Sequence, residues 1–300
     1  MYGQFSSLPK AVLKSMKGEI VTTQTEDRVR LHGLYCVPIA EPKTRFDAVV
    51  LTHGLASNFY SSRFLNYVAH GFLELGIHVV IGNTRGHDDV NRTVRMGRSA
   101  YLGAAFENVG ECRFDLAGWN QFLISRGHQK NILAGHSLGA IKSLYAMAYQ
   151  PQSNIEAVVG LSAIRLNYDS LMNSSGSEAF ARMLQQAEQL VEAGEGDSLM
   201  KVDFPYPTLM AAEAYLNKYG NASEYDWMQF IDRVDVPTQL IYGDLELAES
   251  PALEGLQDQF ASLQKQNPRL TVDVVPGADH FYSARFAEAV ETMRTWLVAH

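Results

Sequence analysis

The chain has little cysteine, no excess of positive charge and no long apolar run at its N-terminus. Cys36 and Cys112 are its two cysteines, too few for a disulfide framework and without the paired spacing of a metal site. We expect two buried, reduced thiols. Lys10, Lys14 and Lys17 interrupt the N-terminal segment, which therefore lacks the apolar core of a signal peptide. A cytoplasmic location is the resulting expectation.

The overall charge is acidic, with 25 Lys and Arg against 33 Asp and Glu, a formal net charge of −8. This balance, with no Lys/Arg cluster, disfavours binding to a nucleic-acid backbone. A hydrophobic content of 46% in 300 residues suffices for one large α/β domain and indicates no membrane span. We expect a soluble globular protein without a nucleic-acid partner, whose oligomeric state the sequence does not indicate.

A serine between two glycines separates a strand pattern from a helix pattern. Ile132 and Leu133 belong to an apolar strand run, Gly135-His136-Ser137-Leu138-Gly139 follows, and apolar residues at helical spacing continue to Pro151. The glycines lack the Cβ atoms that would collide where strand and helix cross, so Ser137 can occupy a strained, exposed turn. The backbone N–H of Leu138 then lies at a helix N-terminus and can face an oxyanion.

The rest of the chain alternates apolar strands with amphipathic helices, which predicts an α/β fold with a mostly parallel central sheet flanked by helices. An antiparallel pair at 20–23 and 30–37 begins it. Residues 165–232 show helical patches without a convincing strand, and we interpret them as a helical cap, or lid, inserted into the sheet domain. The predicted core is therefore 1–164 and 233–300.

Polar residues follow five of the predicted strands, in the segments 53–55, 85–87, 137, 243–246 and 277–280. Ligands of a parallel sheet collect at the carboxyl ends of its strands. A serine, carboxylates and a histidine therefore meet at this edge, in the chain order Ser, acid, His.

In these motifs the chain resembles the α/β-hydrolase superfamily from about Gly18 onward. The elbow around Ser137, His53-Gly54 as an oxyanion loop, the loop 83–87 after the fourth strand and Asp279-His280 all occur in the family's order. The resemblance implies a serine hydrolase, and it leaves open esters, thioesters, amides, lactones and acyl transfer.

The resemblance implies a role for each site residue. A serine hydroxyl needs a base, and His280 is the histidine placed to activate Ser137. The backbone N–H groups of Leu55 and Leu138 would hold the oxyanion. The family usually carries its acid three positions after the glycine that ends the strand, which points to Glu246, with Asp244 as the alternative and Asp279 as a weaker one.

Other polar residues near these motifs are interpreted as structural. His53 and His136 adjoin functional backbone and are expected to support the loops, and Arg85 is expected to brace its own loop. His87-Asp88-Asp89 lacks further ligands at metal spacing, so we predict no metal and no cofactor.

The predicted function is a serine hydrolase that cleaves a carboxylic ester or thioester through an acyl-enzyme. The aromatic and methionine residues of the cap, such as Phe180, Tyr206 and Trp227, are individually typical of packing, but together they favour a moderately lipophilic small-molecule substrate. Amidase, peptidase and acyltransferase activities on the same residues remain alternatives, as does a catalytically silent member that only binds a ligand.

Overall fold

The computed structural model describes residues 16–300 and centres them on one eight-stranded sheet. The prediction of no signal peptide concerns the N-terminal segment. Most of that segment, including Lys10 and Lys14, lies outside the described residues. The strands are β1 (Gly18–Gln24), β2 (Arg30–Cys36), β3 (Ala48–Thr52), β4 (His78–Gly82), β5 (Asn91–Arg95), β6 (Arg98–Leu102), β7 (Asn131–His136), β8 (Ile155–Leu161), β9 (Leu199–Val202), β10 (Thr208–Ala211), β11 (Thr238–Gly243) and β12 (Leu270–Val275).

The spatial order of the sheet is β1-β2-β4-β3-β7-β8-β11-β12. The strands β1 and β2 pair antiparallel with each other, and β2 pairs antiparallel with β4, whereas every later pair is parallel. This confirms the predicted antiparallel start and mostly parallel core. All residues of β3, β7 and β11 are buried, as expected of strands covered on both faces.

Helices cover both faces of the sheet. They are α1 (Arg63–Glu74), α2 (Cys112–Ser125), α3 (Leu138–Tyr149), α4 (Tyr168–Met172), α5 (Ser177–Glu192), α6 (Ala212–Tyr219), α7 (Asp244–Glu249), α8 (Phe260–Gln266) and α9 (Phe286–Ala299). Alternate residues of β3 point to opposite sides, so Val49 joins the core under α1 and α9 and Val50 joins the core under α2 and α3. No helix within residues 16–300 is long and apolar enough to cross a membrane.

Residues 165–232 contain α4, α5 and α6, and no strand of the central sheet begins or ends there. The prediction that this interval lacks strands was wrong, because β9 and β10 form a separate antiparallel pair. β9 alternates exposed and buried residues over only four positions, too few for the period to stand out in the sequence.

The structure departs from the sequence pattern at two further places, and each departure depends on one turn. The unpredicted hairpin of β5 and β6 turns at Met96 and Gly97, both with positive φ, the backbone of a tight two-residue turn. The apolar spacing of residues 251–264 is typical of one continuous helix, but the segment is interrupted at Gly255, whose φ is +69°, and only α8 is a regular α-helix there. Neither difference moves the strand ends that hold the candidate site.

Candidate active site

One cavity of about 560 Å³ opens at the carboxyl ends of the parallel strands. Six of the seven catalytic and oxyanion candidates predicted from the sequence line it: Leu55, Ser137, Leu138, Glu246, Asp279 and His280. Asp244, the alternative acid, is not among the lining residues. The structure therefore brings together groups that lie more than two hundred residues apart in the chain.

Ser137 lies in a strained turn between β7 and α3, with φ +57° and ψ −122°. A Cβ atom on Gly135 would lie 2.3 Å from the backbone carbonyl of Gly139, and one on Gly139 would lie 2.6 Å from the carbonyl oxygen of His53. Glycine is required at both positions because backbone atoms cannot move aside as a flexible side chain can. The same close contacts press the serine turn against the loop after β3.

Two backbone donors border the serine. Leu138 is the first residue of α3, so its N–H has no carbonyl partner within the helix. Leu55 follows Gly54, where an added Cβ would come within 3.5 Å of the Ser137 hydroxyl oxygen. Both N–H groups therefore belong to backbone that adjoins Ser137 at the cavity, the arrangement needed to stabilise an oxyanion.

His280 is held by Glu246. The Nδ1 of His280 donates to Oε2 of Glu246 at 2.8 Å, and the glutamate side chain is only 1% exposed. The other carboxylate oxygen accepts hydrogen bonds from the Ser162 hydroxyl at 2.5 Å and from the Gly243 N–H at 2.8 Å. These bonds fix the carboxylate, and the carboxylate orients the imidazole through Nδ1. Nε2 is then the ring nitrogen available to face the cavity.

The other two carboxylates accept hydrogen bonds from backbone N–H groups instead. Oδ1 of Asp244 accepts from the Gly277 N–H at 2.6 Å. Oδ1 of Asp279 accepts from the N–H groups of Phe281 and Ser283 at 3.0 and 2.9 Å. Of the three candidates for the acid, the structure thus brings Glu246 to His280.

Ser137 and His280 line the same cavity, and within residues 16–300 no hydrogen bond joins the serine Oγ to the imidazole. Such bonds are commonly long in unliganded enzymes and tighten when substrate binds. The backbone of His280 is anchored instead, because Nε2 of His136 donates to its carbonyl oxygen at 2.8 Å.

His53 and His136 are buried and neutral. His53 donates from Nδ1 to the Gly54 carbonyl at 2.8 Å and accepts from the Thr84 N–H at 3.1 Å. Burial, assisted by nearby Lys142, lowers the pKa of His53 to about 3. Burial and the adjacent His280 lower the pKa of His136 to about 3 as well. The bonds of His53 engage both of its ring nitrogens, and the bond of His136 ties the serine turn to the backbone of His280.

Arg85 lies away from the cavity, in the loop after β4. Its fully buried guanidinium pairs with Asp115 and Asp27, each at 2.9 Å, and with Glu111 at 2.5 Å. Burial disfavours its charged form, but Asp115, the largest of the opposing influences, keeps the pKa raised. These pairs connect the loop to α2 and to the turn between β1 and β2.

Sequence reasoning missed two residues behind Glu246. Ser162 directly follows β8, has φ +52° and donates to the glutamate. The hydroxyl of Tyr282 lies 3.0 Å from the Ser162 hydroxyl and donates to the Ile241 carbonyl at 2.7 Å. The position of Ser162 at a strand end was a usable signal, whereas nothing in the sequence marks Tyr282.

Among the described residues no group of three or more His, Cys, Asp or Glu side chains is arranged to hold a metal ion. His87 instead bonds Asp88 at 2.8 Å, and Asp88 accepts from Asn58 and Tyr60. These are contacts within the loop.

A family model described as "Alpha/beta hydrolase family" matches residues 49–292. No curated protein sequence matches the chain. Among solved structures, a DcsB complex with its substrate analogue is similar with a TM-score of 0.66 and 16% identity, covering 94% of this chain and 98% of that one. Est1E from Butyrivibrio proteoclasticus has a TM-score of 0.61 and 14% identity, with coverage of 94% and 98%. A Pyrococcus furiosus esterase has a TM-score of 0.58 and 16% identity, covering 95% of this chain and 90% of that one.

The glycine contact at the serine turn can be tested by adding one methyl group. Gly135→Ala should lower the free energy of unfolding by about 3 kcal/mol or more, because its Cβ meets rigid backbone. Gly118→Ala in α2 is the matched control, since its Cβ would find only ordinary contacts and alanine favours helix. Urea unfolding of both variants decides the matter, and equal stabilities would show that the contact is not a constraint.

The buried histidines should make the fold sensitive to acid. Unfolded histidine binds a proton near pH 6.5, but buried His53 does not until about pH 3, so the unfolded state binds more protons in between. The free energy of unfolding should therefore fall as pH drops through this window, by about 1.4 kcal/mol per pH unit for each such histidine.

His53→Asn removes one histidine that gains a proton on unfolding. The free energy of unfolding of this variant should therefore fall less steeply than that of the wild type between about pH 6 and pH 4.5. Above about pH 7.5 the two slopes should coincide, since both states are then neutral at this position. Parallel curves throughout would mean that His53 is not held neutral.

Proposed function

The chain belongs to the alpha/beta hydrolase family, and we propose that it is a serine hydrolase that cleaves carboxylic esters or thioesters through an acyl-enzyme. The observation that carries the proposal is the bond of His280 to buried Glu246 at the cavity that Ser137 also lines. Its solved structural relatives include esterases, which supports ester chemistry.

In the proposed mechanism His280 takes the proton of the Ser137 hydroxyl through Nε2 as Oγ attacks the ester carbonyl carbon. The N–H groups of Leu55 and Leu138 donate to the resulting oxyanion. The tetrahedral intermediate collapses as His280 protonates the departing alcohol or thiol. Water, deprotonated by His280, then attacks the acyl-enzyme, and the acid leaves as Ser137 regains its proton. Glu246 stabilises the imidazolium in both halves.

We propose that residues 165–232 form a cap that selects the substrate. This interval contributes Leu166, Tyr206, Pro207, Thr208, Lys218 and Tyr219 to the cavity lining. Most of its other large side chains, such as Phe180, Tyr215 and Trp227, are fully buried packing residues. A mixed apolar and phenolic lining suits a moderately lipophilic acyl or alcohol group. A related structure contains ferulic acid bound to Est1E, a small molecule of this general kind.

The alternatives use the same residues. An amidase or peptidase would need a donor for an amine leaving group, and an acyltransferase would replace water by another acceptor. A silent ligand-binding member would hold Ser137 without activating it. Every catalytic alternative requires an activated Ser137, so the first distinction to make is between an activated and an inactive serine.

A fluorophosphonate probe should label the wild-type protein covalently, and Ser137→Ala should abolish both labelling and ester turnover, with a loss in kcat of about 10⁶. Circular dichroism and thermal unfolding should show an intact fold. Ser143, a buried serine on the same helix, gives a matched control as Ser143→Ala, which should still be labelled. A Ser137→Ala protein that keeps a tenth of the activity would disprove the assignment.

The acid can be identified by comparing two amide substitutions. Glu246→Gln should lower kcat by up to ~10⁴, because the amide keeps the shape but loses the charge that stabilises the imidazolium. Asp244→Asn should retain most of the activity, since in the described part of the chain the Asp244 side chain bonds only the backbone of Gly277. The reverse pattern would show that Asp244 is the acid in solution.

A further inference from the structure

A cluster of buried charges adjoins the cavity and takes no part in the proposed mechanism. It consists of Glu107, Lys142 on α3 and Lys218 on α6, all at most 2% exposed. Lys142 donates to Oε1 of Glu107 at 2.5 Å and to the Thr84 hydroxyl at 2.9 Å. Lys218 is more distant, with its Nζ 4.0 Å from Oε2 of Glu107.

The cluster holds two ammonium groups and one carboxylate, so it carries an unbalanced positive charge. Neither the Nζ of Lys218 nor Oε2 of Glu107 has a hydrogen-bond partner among the described residues. A buried charge without such a partner is costly. The ammonium group of Lys142 has hydrogen-bond partners in Glu107 and Thr84. The positive charge without a hydrogen-bond partner is therefore that of Lys218.

Electrostatics agree with this assignment. Burial would raise the pKa of Glu107, but Lys142 and Lys218 outweigh it and leave the pKa below its ordinary value. Burial lowers the pKa of Lys218 to about 8, with Glu107 opposing the shift and Lys142 adding to it. Lys218 therefore stays mainly protonated at pH 7.

Lys218 is also part of the cavity that contains Ser137. Among the described lining residues it is the only lysine or arginine. The acidic lining residues Asp89, Glu249 and Asp279 are exposed, so water and salt screen their charges at the rim. Glu246 is buried but engaged with His280. The cavity lining thus combines exposed acidic residues with one buried lysine.

We propose that Lys218 binds a carboxylate of the substrate, so that the natural substrates are esters or thioesters that also carry a free carboxylate. The anion would supply the missing hydrogen-bond acceptor and balance the cluster's charge. The substrate class rests on the proposed serine hydrolase activity, whereas the binding of a carboxylate by Lys218 does not.

The binding test uses Ser137→Ala protein, which has no nucleophile. Calorimetry should show that 4-phenylbutyrate binds at least about tenfold more tightly than the neutral 4-phenylbutanamide, the effect expected of one charge-assisted hydrogen bond. Adding Lys218→Met should abolish this preference. Lys201→Met, which removes an 82% exposed cap lysine, should keep it.

Lys218→Met leaves Glu107 paired with Lys142, so the fold should tolerate it, and Lys218→Gln is a second variant if the first does not fold. Three results would overturn the proposal. They are equal binding of the acid and the amide to Ser137→Ala protein that retains Lys218, no detectable binding of the acid to that protein, or a preference for the acid that survives both Lys218→Met and Lys218→Gln.

Turnover then tests the substrate class. Two matched pairs place the carboxylate on either side of the ester: mono-4-nitrophenyl glutarate against 4-nitrophenyl pentanoate, and 4-acetoxybenzoate against its methyl ester. In at least one pair the kcat/KM ratio of charged to neutral ester should fall about tenfold or more in Lys218→Met. Unchanged ratios in both pairs would refute the substrate class. Absent fluorophosphonate labelling would instead refute the serine chemistry, while the binding test would still decide the role of Lys218.

Discussion

The site depends on one backbone contact, the crossing of β7 over the start of α3. Gly135 meets Gly139, and Gly139 in turn meets the carbonyl of His53, at distances that no side chain could occupy. This contact holds Ser137 at its strained φ and sets the Leu138 N–H beside it. Because the loop after β3 is pressed against the same turn, the two backbone donors and the hydroxyl are positioned together. The strain is sustained by the buried sheet beneath it.

The architecture could be read from the sequence because buried parallel strands leave continuous apolar runs. Those of β3, β4, β7, β8 and β11 were visible, and their carboxyl ends collected the polar segments in the expected order. The hairpin at Met96 and Gly97 and the break at Gly255 were not visible, since single positive-φ residues decide them. The short β9 carried too few alternations to distinguish it from loop.

The candidate site was predictable to a similar depth. The glycine-flanked turn and the family resemblance pointed to Ser137 and His280, and the family's spacing favoured Glu246 over Asp244. That Asp244 bonds the Gly277 N–H instead is visible only in the structure. Ser162, Tyr282 and the cluster of Glu107, Lys142 and Lys218 depend on contacts between distant segments. A buried lysine looks like any surface lysine in a sequence, and only packing reveals that Lys218 has no hydrogen-bond acceptor within residues 16–300.

The central claim is that acyl transfer passes through Ser137. The most direct measurement is rapid acid quenching of the enzyme during turnover of a slowly hydrolysed ester, followed by peptide mapping in a mass spectrometer. The account predicts one acyl group per chain, on the peptide that contains Ser137, which forms before product acid appears and decays as substrate is exhausted. An acyl group on another residue, or turnover in which the protein stays unmodified throughout, would contradict it.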